Sequence, residues 1–176
     1  MLDKVIEWLT SVINDFLPFF IVKEYEEALH LSGGKFKRKL SAGFYWKWSF
    51  YDEVLRQHIA LTTINLPAQS LVTKDHKNIV VKAVVKYKIT DIKTFLLEVY
   101  DSVDAISDVS QGIIKNVIMP STWEECKSME TDNNITKKVR NELKKLGVHI
   151  ETVTLTSIAE MRTIRLINQN ETILND

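Results

Sequence analysis

Residues 69–89 constrain the fold of this chain more than any other stretch, because their second half alternates almost perfectly between two kinds of side chain. A period of two is typical of a strand with one buried face, and β-branched residues suit that position. The alternation predicts a buried face made of Ile79, Val81, Ala83, Val85, Tyr87 and Ile89. The polar run 74–78 predicts a turn, because Asp and Asn side chains bond to nearby backbone. We therefore expect a hairpin in which residues 69–73 form the partner strand.

The composition is that of a globular protein. The chain has 176 residues, 45% of them hydrophobic and 26% charged, which is enough to bury a sizeable core. Lysine plus arginine equals aspartate plus glutamate at 23 each, so nucleic acid is not expected as a partner. Cys126 is the only cysteine, which excludes an internal disulfide and a cysteine-based metal site. The first residues lack the pattern of a secretory signal, so none is expected.

The segment 1–22 differs from everything after it. Apolar residues recur at steps of three and four up to Leu17, which predicts an amphipathic helix, and Pro18 ends or kinks it. An uninterrupted apolar run then continues to Val22. Neither piece reaches the roughly 20 apolar residues that a spanning helix needs. We interpret the segment as lying on a membrane or dipping into it, with contacts from Trp8, Leu9, Val12, Ile13, Phe16, Leu17, Phe19 and Phe20.

A second interpretation of the same segment stays open. An apolar helix stripe is also typical of packing against the protein core or another subunit. The polar face carries Asp3, Glu7 and Asp15, so anionic lipid would not attract it.

Residues 23–90 are predicted to form an antiparallel sheet subdomain. Strands are expected at 24–31, 36–40 and 52–66, with a tight turn at Ser32–Gly34. The aromatic run 44–51 is interpreted as a core wall or an interface rather than as a stacking platform for bases or sugars.

Residues 91–160 are predicted to form a smaller α+β lobe, followed by a tail at 161–176. Asp91 is expected to cap a short helix up to Tyr100, and Asp101 or Ser102 to open a longer one that Pro120 stops. A third helix is expected from Thr131, with Gly147 in the left-handed conformation at its end and a strand at 148–155. Five basic residues are interpreted as a solvated helix face, with contact to acidic headgroups or an acidic partner as the alternative: Lys137, Lys138, Arg140, Lys144 and Lys145.

The order of these motifs resembles the SPFH (band-7) domain of the stomatin, prohibitin and flotillin family. The resemblance covers roughly residues 21–167. Its matching stretches are Gly34-Lys35, Leu40–Gly43, Ile64–Asp75, Val84–Ile89, Ser110–Ile118 and Leu146–Val153. It implies an α+β fold with an antiparallel sheet subdomain and a smaller lobe, and a hydrophobic membrane segment before the domain.

The chain also departs from the family pattern. Ala42, Ser49 and Met161 stand where stomatin-like members usually have prolines. The coiled coil that normally follows the domain is expected to be absent, so assembly would depend on the lobes.

No catalytic, cofactor or metal site is predicted. The histidines at positions 30, 58, 76 and 149 lie in separate elements, without the spacing of helix-borne metal ligands. The resemblance implies a membrane-associated, self-assembling scaffold on the cytoplasmic face that organises lipid or partner membrane proteins, and not an enzyme. A regulatory adaptor of a membrane protease or channel is the alternative, and a hydrolase is the less favoured one. The expected partners are a membrane lipid surface and further copies of the chain.

Overall fold

The computed structural model describes Lys4, residues 19–48 and residues 50–161. Antiparallel strands and packed helices both occur in this part of the chain, which confirms the predicted α+β class. The predicted amino-terminal helix and most of the predicted tail lie outside the described residues.

The described strands and helices follow one another in this order. The strands before the helices are β1 Phe19–Val22, β2 Glu26–Ser32, β3 Lys35–Leu40, β4 Gly43–Trp46, β5 Asp52–His58, β6 Thr62–Asn65, β7 Gln69–Val72 and β8 Asn78–Ile89. A π-helical turn at Thr94–Glu98, the helices α1 Ser102–Ile118, α2 Trp123–Cys126 and α3 Met129–Leu143, and a 3-10 turn at Lys144–Leu146 come next. Strand β9 is Val148–Glu160.

The strands form separate antiparallel sheets. One sheet pairs β1 with β4, and a second has the order β3–β2–β5. The third has four strands, in which β9 pairs with β8 along most of its length while β6 and β7 pair with different parts of β8. Because a strand has two edges, β6 and β7 share the edge of β8 opposite β9.

The predicted hairpin is confirmed as β7 and β8. All six residues predicted to face inward along β8 are buried, from Ile79 at 0% exposure to Ile89 at 5%. They pack with the apolar faces of α1 and α3 in the main hydrophobic core. The strand after the helices, β9, pairs with β8 of the hairpin. The boundary predicted at residue 90 therefore falls inside one sheet and one core.

Local sequence signals fix where the helices begin. The side chain of Asp101 accepts a hydrogen bond from the Asp104 backbone at the start of α1, as the sequence predicted. Helix α3 begins two residues before the predicted Thr131, because the Ser128 side chain caps it. The chain after Asp91 forms a π-helical turn that ends at Glu98, rather than a helix reaching Tyr100.

One predicted strand, residues 52–66, is wrong as a single element. The structure divides it into β5 and β6, which belong to different sheets. The chain bends between them, where the Thr62 hydroxyl donates to the Ala60 carbonyl oxygen at 3.1 Å. The alternation in the sequence continues through the bend, so pattern alone does not reveal it.

Helix α3 covers part of the outer edge of β9. The guanidinium of Arg140 donates to the carbonyl oxygens of Ile150 and Glu151, both at 2.7 Å. The interpretation of Arg140 as part of a solvated face is therefore wrong. Lys137 and Lys138 are exposed, as expected.

Candidate membrane-facing surface

The sheet of β1 and β4 has two different faces. In the antiparallel register, Phe19 lies opposite Trp46 and Phe20 lies opposite Tyr45. Since side chains alternate across a strand, consecutive residues of β1 point to opposite faces. The inner face packs on the protein, and the outer face is exposed.

The inner face is part of a small hydrophobic cluster. Phe20 and Val22 are 6% and 1% exposed and pack with Ala28 and Leu40 of the three-stranded sheet. The guanidinium carbon of Arg56 lies 5.7 Å from the centre of the Phe20 ring, within the range of a cation–π contact. These contacts fix the position of the β1–β4 sheet on the three-stranded sheet.

The outer face carries large apolar side chains in contact with solvent. Ile21, Phe44 and Trp46 are 60%, 66% and 60% exposed, and Phe19 is 41% exposed. The Phe19 and Phe44 rings stack with their centres 5.5 Å apart. Exposed apolar patches that are contiguous mark interaction sites more often than scattered residues do.

The aromatic run continues past β4 in the same exposed state. Trp48, Phe50 and Tyr51 are 68%, 80% and 71% exposed. The prediction that this run forms a core wall is therefore wrong within the described chain, and its alternative, an interface, stays a prediction. We call Phe19, Ile21, Phe44, Trp46, Trp48, Phe50 and Tyr51 the aromatic surface.

Asp52 holds the end of this run in place. Its carboxylate accepts from the Trp48 backbone N–H at 2.9 Å and lies 3.1 Å from Nε2 of His30. The Trp48 N–H, with further hydrogen bonds from Ser32 and His30, lowers the pKa of Asp52 to about 2. A charged carboxylate is thus the favoured form at the base of the aromatic surface.

The β2–β3 turn and the start of β1 lie at the same end of the molecule as the aromatic run. The Gly33 N–H donates to the Tyr51 carbonyl oxygen at 2.8 Å, so the β2–β3 turn lies beside the aromatic run. Gly33 and Gly34 both have positive φ, which makes the tight turn possible. Lys35 follows this turn directly, and Lys47 lies between Trp46 and Trp48 in sequence. Phe19 opposite Trp46 brings the start of β1 to the same end.

The structure describes two of the eight residues that the sequence predicts to contact a membrane. Phe19 lies on the exposed outer face, whereas Phe20 is buried against Arg56 and Tyr45. The remaining residues of that set, Trp8, Leu9, Val12, Ile13, Phe16 and Leu17, lie outside the described residues.

The eight contact residues predicted from the sequence leave out the exposed side chains of Ile21, Phe44 and Trp46, although Ile21 lies in the segment 1–22. Their exposure depends on which face of β1 and β4 packs inward. The alternation of aromatic residues at 44, 46, 48 and 50 was the available signal.

Few of the described residues have the arrangement that a metal site or a reactive side chain requires. No group of His, Cys, Asp and Glu side chains in residues 19–48 and 50–161 could hold a metal ion. Cys126 is buried and unpaired, and burial raises the pKa of its thiol. Helices long and apolar enough to cross a bilayer are absent from the described segments.

Comparison with known proteins places the chain in a family. The SPFH domain / Band 7 family profile matches residues 20–172, which is most of the chain. The chain therefore belongs to the SPFH domain / Band 7 family, as its motifs and its α+β fold predicted.

Relatives with names of this kind occur in bacteria, archaea and animals. Protein HflC of Buchnera aphidicola is 26% identical over 181 residues, covering 93% of this chain and 57% of the relative. A stomatin homologue of Pyrococcus horikoshii is 26% identical over 124 residues, covering 67% of this chain and 47% of the relative. Stomatin-1 of Caenorhabditis elegans is 23% identical over 171 residues, covering 96% and 50%. The chain spans about half the length of these relatives.

Proposed function

We propose that this chain is a membrane-associated scaffold of the SPFH type, which self-assembles and organises lipid or membrane proteins on the cytoplasmic side. The observation that supports membrane contact most directly is the exposed outer face of β1 and β4. This face begins at Phe19, inside the segment 1–22 that the sequence predicts to lie on a membrane. The outer face of β1 and β4 would then extend the lipid contact predicted for this segment into the folded domain.

The energy of this contact supports reversible rather than permanent attachment. Fully burying a large apolar side chain stabilises by roughly 1.5–3 kcal/mol, and the outer-face residues are already partly covered. The outer faces of β1 and β4 would therefore contribute on the order of 4 kcal/mol per copy. Several copies in one assembly act together and raise the effective affinity by orders of magnitude. Self-assembly and membrane contact thus support each other.

Assembly through the lobes has a structural candidate in β5. This strand is an outer strand of its sheet and pairs only with β2 among the described strands. Its sequence, Asp52–His58, carries Asp52, Glu53 and Arg56 but no lysine, the charged residue most often used to block unwanted edge pairing. Sedimentation of the full chain tests assembly, since a monomer of 20.4 kDa at every concentration, with and without lipid, would contradict it.

Vesicle flotation tests the membrane contact. We compare the full chain with a variant that lacks residues 1–18 and with the double variant Ile21→Ser, Trp46→Ser. The deletion stops before β1, because Phe20 and Val22 belong to the folded core. The control is Val72→Ser with Tyr100→Ser, which removes exposed apolar side chains that lie outside the aromatic surface. The proposal expects both test variants to float less than the control. Equal flotation of all four proteins would contradict it.

A further inference from the structure

The aromatic surface is accompanied by positive charge. Lys35 is exposed and lies opposite Ser32 in the β2–β3 register, and Ser32 lies opposite Asp52 at the start of β5. Lys47 is partly exposed and stands between two exposed tryptophans in sequence. Both lysines therefore lie near the end at which Trp48 and Tyr51 lie.

These two lysines are not neutralised within the described part of the chain. The ion pairs found there do not include Lys35 or Lys47. The carboxylate of Asp52, which follows the aromatic run, is held by the Trp48 N–H and by His30. Glu53, the next residue, is exposed and is an acidic side chain that would oppose an anion at this end.

The apolar segment before β1 has the opposite charge. Residues 1–18 contain Asp3, Glu7 and Asp15 but only one basic side chain, Lys4. That segment can supply apolar contact to a membrane, but its charge disfavours an anionic one. A preference for anionic lipid would have to come from the folded part of the chain.

We propose that the end of the molecule formed by Lys35, Lys47 and the aromatic surface binds the phosphate groups of anionic phospholipids. This inference rests on the proposed membrane association and names the lipid class. Trp46 and Trp48 would lie at the level of the headgroups, where amphipathic indole rings are favoured. The lysines on either side would then contact the phosphates, because long basic side chains reach toward the headgroup layer.

Flotation with vesicles of two compositions tests the proposed binding of anionic phospholipids. One contains phosphatidylcholine alone, and the other contains phosphatidylcholine with about a third phosphatidylserine. A lysine near an anionic surface contributes about fivefold in affinity, so the full chain should bind the anionic vesicles roughly tenfold to thirtyfold more tightly. Raising the salt should weaken this preference, because screening shortens the reach of exposed charges.

Two double variants that remove the same charge show which lysines cause the preference for anionic vesicles. Lys35→Gln with Lys47→Gln should bring binding to the two vesicle types close together. Lys137→Gln with Lys138→Gln removes the same charge from the exposed side of α3 and should keep the preference. Equal losses in the two double variants would mean that overall charge decides, which overturns the site.

Two other results would also overturn the inference, and they differ from failure of the proposed function. Equal binding of the full chain to both vesicle types rejects the anionic preference and leaves membrane association intact. Binding is also measured in inorganic phosphate and in chloride at the same ionic strength. If the preference for anionic vesicles is lost only in phosphate, the lysines bind free phosphate. If the full chain floats with neither vesicle type, the proposed membrane association itself fails.

Discussion

The hydroxyl group of Thr136 on α3 makes two hydrogen bonds with the backbone of Val153 on β9. It accepts from the Val153 N–H at 3.0 Å and donates to the Val153 carbonyl oxygen at 3.2 Å. Arg140, one helical turn later, donates to the carbonyl oxygens of Ile150 and Glu151. Side chains of a helix thus occupy part of the edge at which another strand could add.

This relationship predicts that Thr136→Val destabilises the fold by about 1–3 kcal/mol, since the buried Val153 backbone loses both partners while side-chain volume is kept. Urea unfolding followed by circular dichroism measures the change. Thr154→Val, at an exposed position of β9 one residue along, is the matched control and should stay within about 0.5 kcal/mol of wild type. Equal stability of the two variants would mean that the hydrogen bonds of the Thr136 hydroxyl contribute nothing.

Gly147→Ala should destabilise more than Gly34→Ala, although both glycines have a φ of +73°. At Gly34 a Cβ atom meets nothing within 4 Å, so only the left-handed backbone disfavours alanine, by about 1 kcal/mol. At Gly147 the Cβ atom would lie 2.5 Å from the Asp91 carbonyl oxygen, which cannot move without disturbing the backbone. We expect a total cost on the order of 3 kcal/mol there. Thermal unfolding of the two variants checks this, and similar melting temperatures would contradict it.

Neighbouring residues of β1 should respond in opposite ways. Phe20→Ala removes a buried ring and should cost about 3 kcal/mol, with little direct effect on lipid contact. Ile21→Ala changes an exposed side chain and should alter stability by less than about 0.5 kcal/mol, while it reduces vesicle binding. Unfolding and flotation on the same two proteins separate these effects. A stability loss at Ile21 with none at Phe20 would mean that the faces are reversed.

Asp52 predicts a pH dependence with a defined sign. Its pKa is about 2 in the fold, below the usual 3.8, so the folded state favours the ionised form. The stabilisation it supplies is complete above about pH 4 and is lost as the pH falls toward 2. Asp52→Asn should therefore be less stable than wild type at pH 7, and the difference should shrink at pH 3.

The urea concentration at the midpoint of unfolding, measured at pH 7 and at pH 3, gives the stability difference between Asp52→Asn and wild type. Glu53→Gln removes the exposed carboxylate of the next residue and serves as the control, with a small effect expected at both. A gap between Asp52→Asn and wild type that is the same at both pH values would contradict the proposed role of the charge.

Much of the fold was accessible from the sequence because the signals were local. The alternation along β8, the cap at Asp101 and the left-handed Gly147 each depend on residues within a few positions of one another. The motif order also led to the correct family. The sequence also singles out the aromatic run 44–51, but it leaves open whether the run is a core wall or an interface.

The sequence by itself determined which residues of β8 turn inward, where α1 begins and that the segment before β1 is apolar. Only the tertiary structure decided that β9 joins β8, that Arg140 contacts the edge of β9 rather than solvent, and that Ile21 and Trp46 face outward while Phe20 is buried. The physical reason is that a periodic pattern fixes which residues share a face, whereas burial of that face depends on partners distant in sequence. Both faces of β1 are apolar, so the choice between them belongs to the packing of β1 and β4 on the three-stranded sheet.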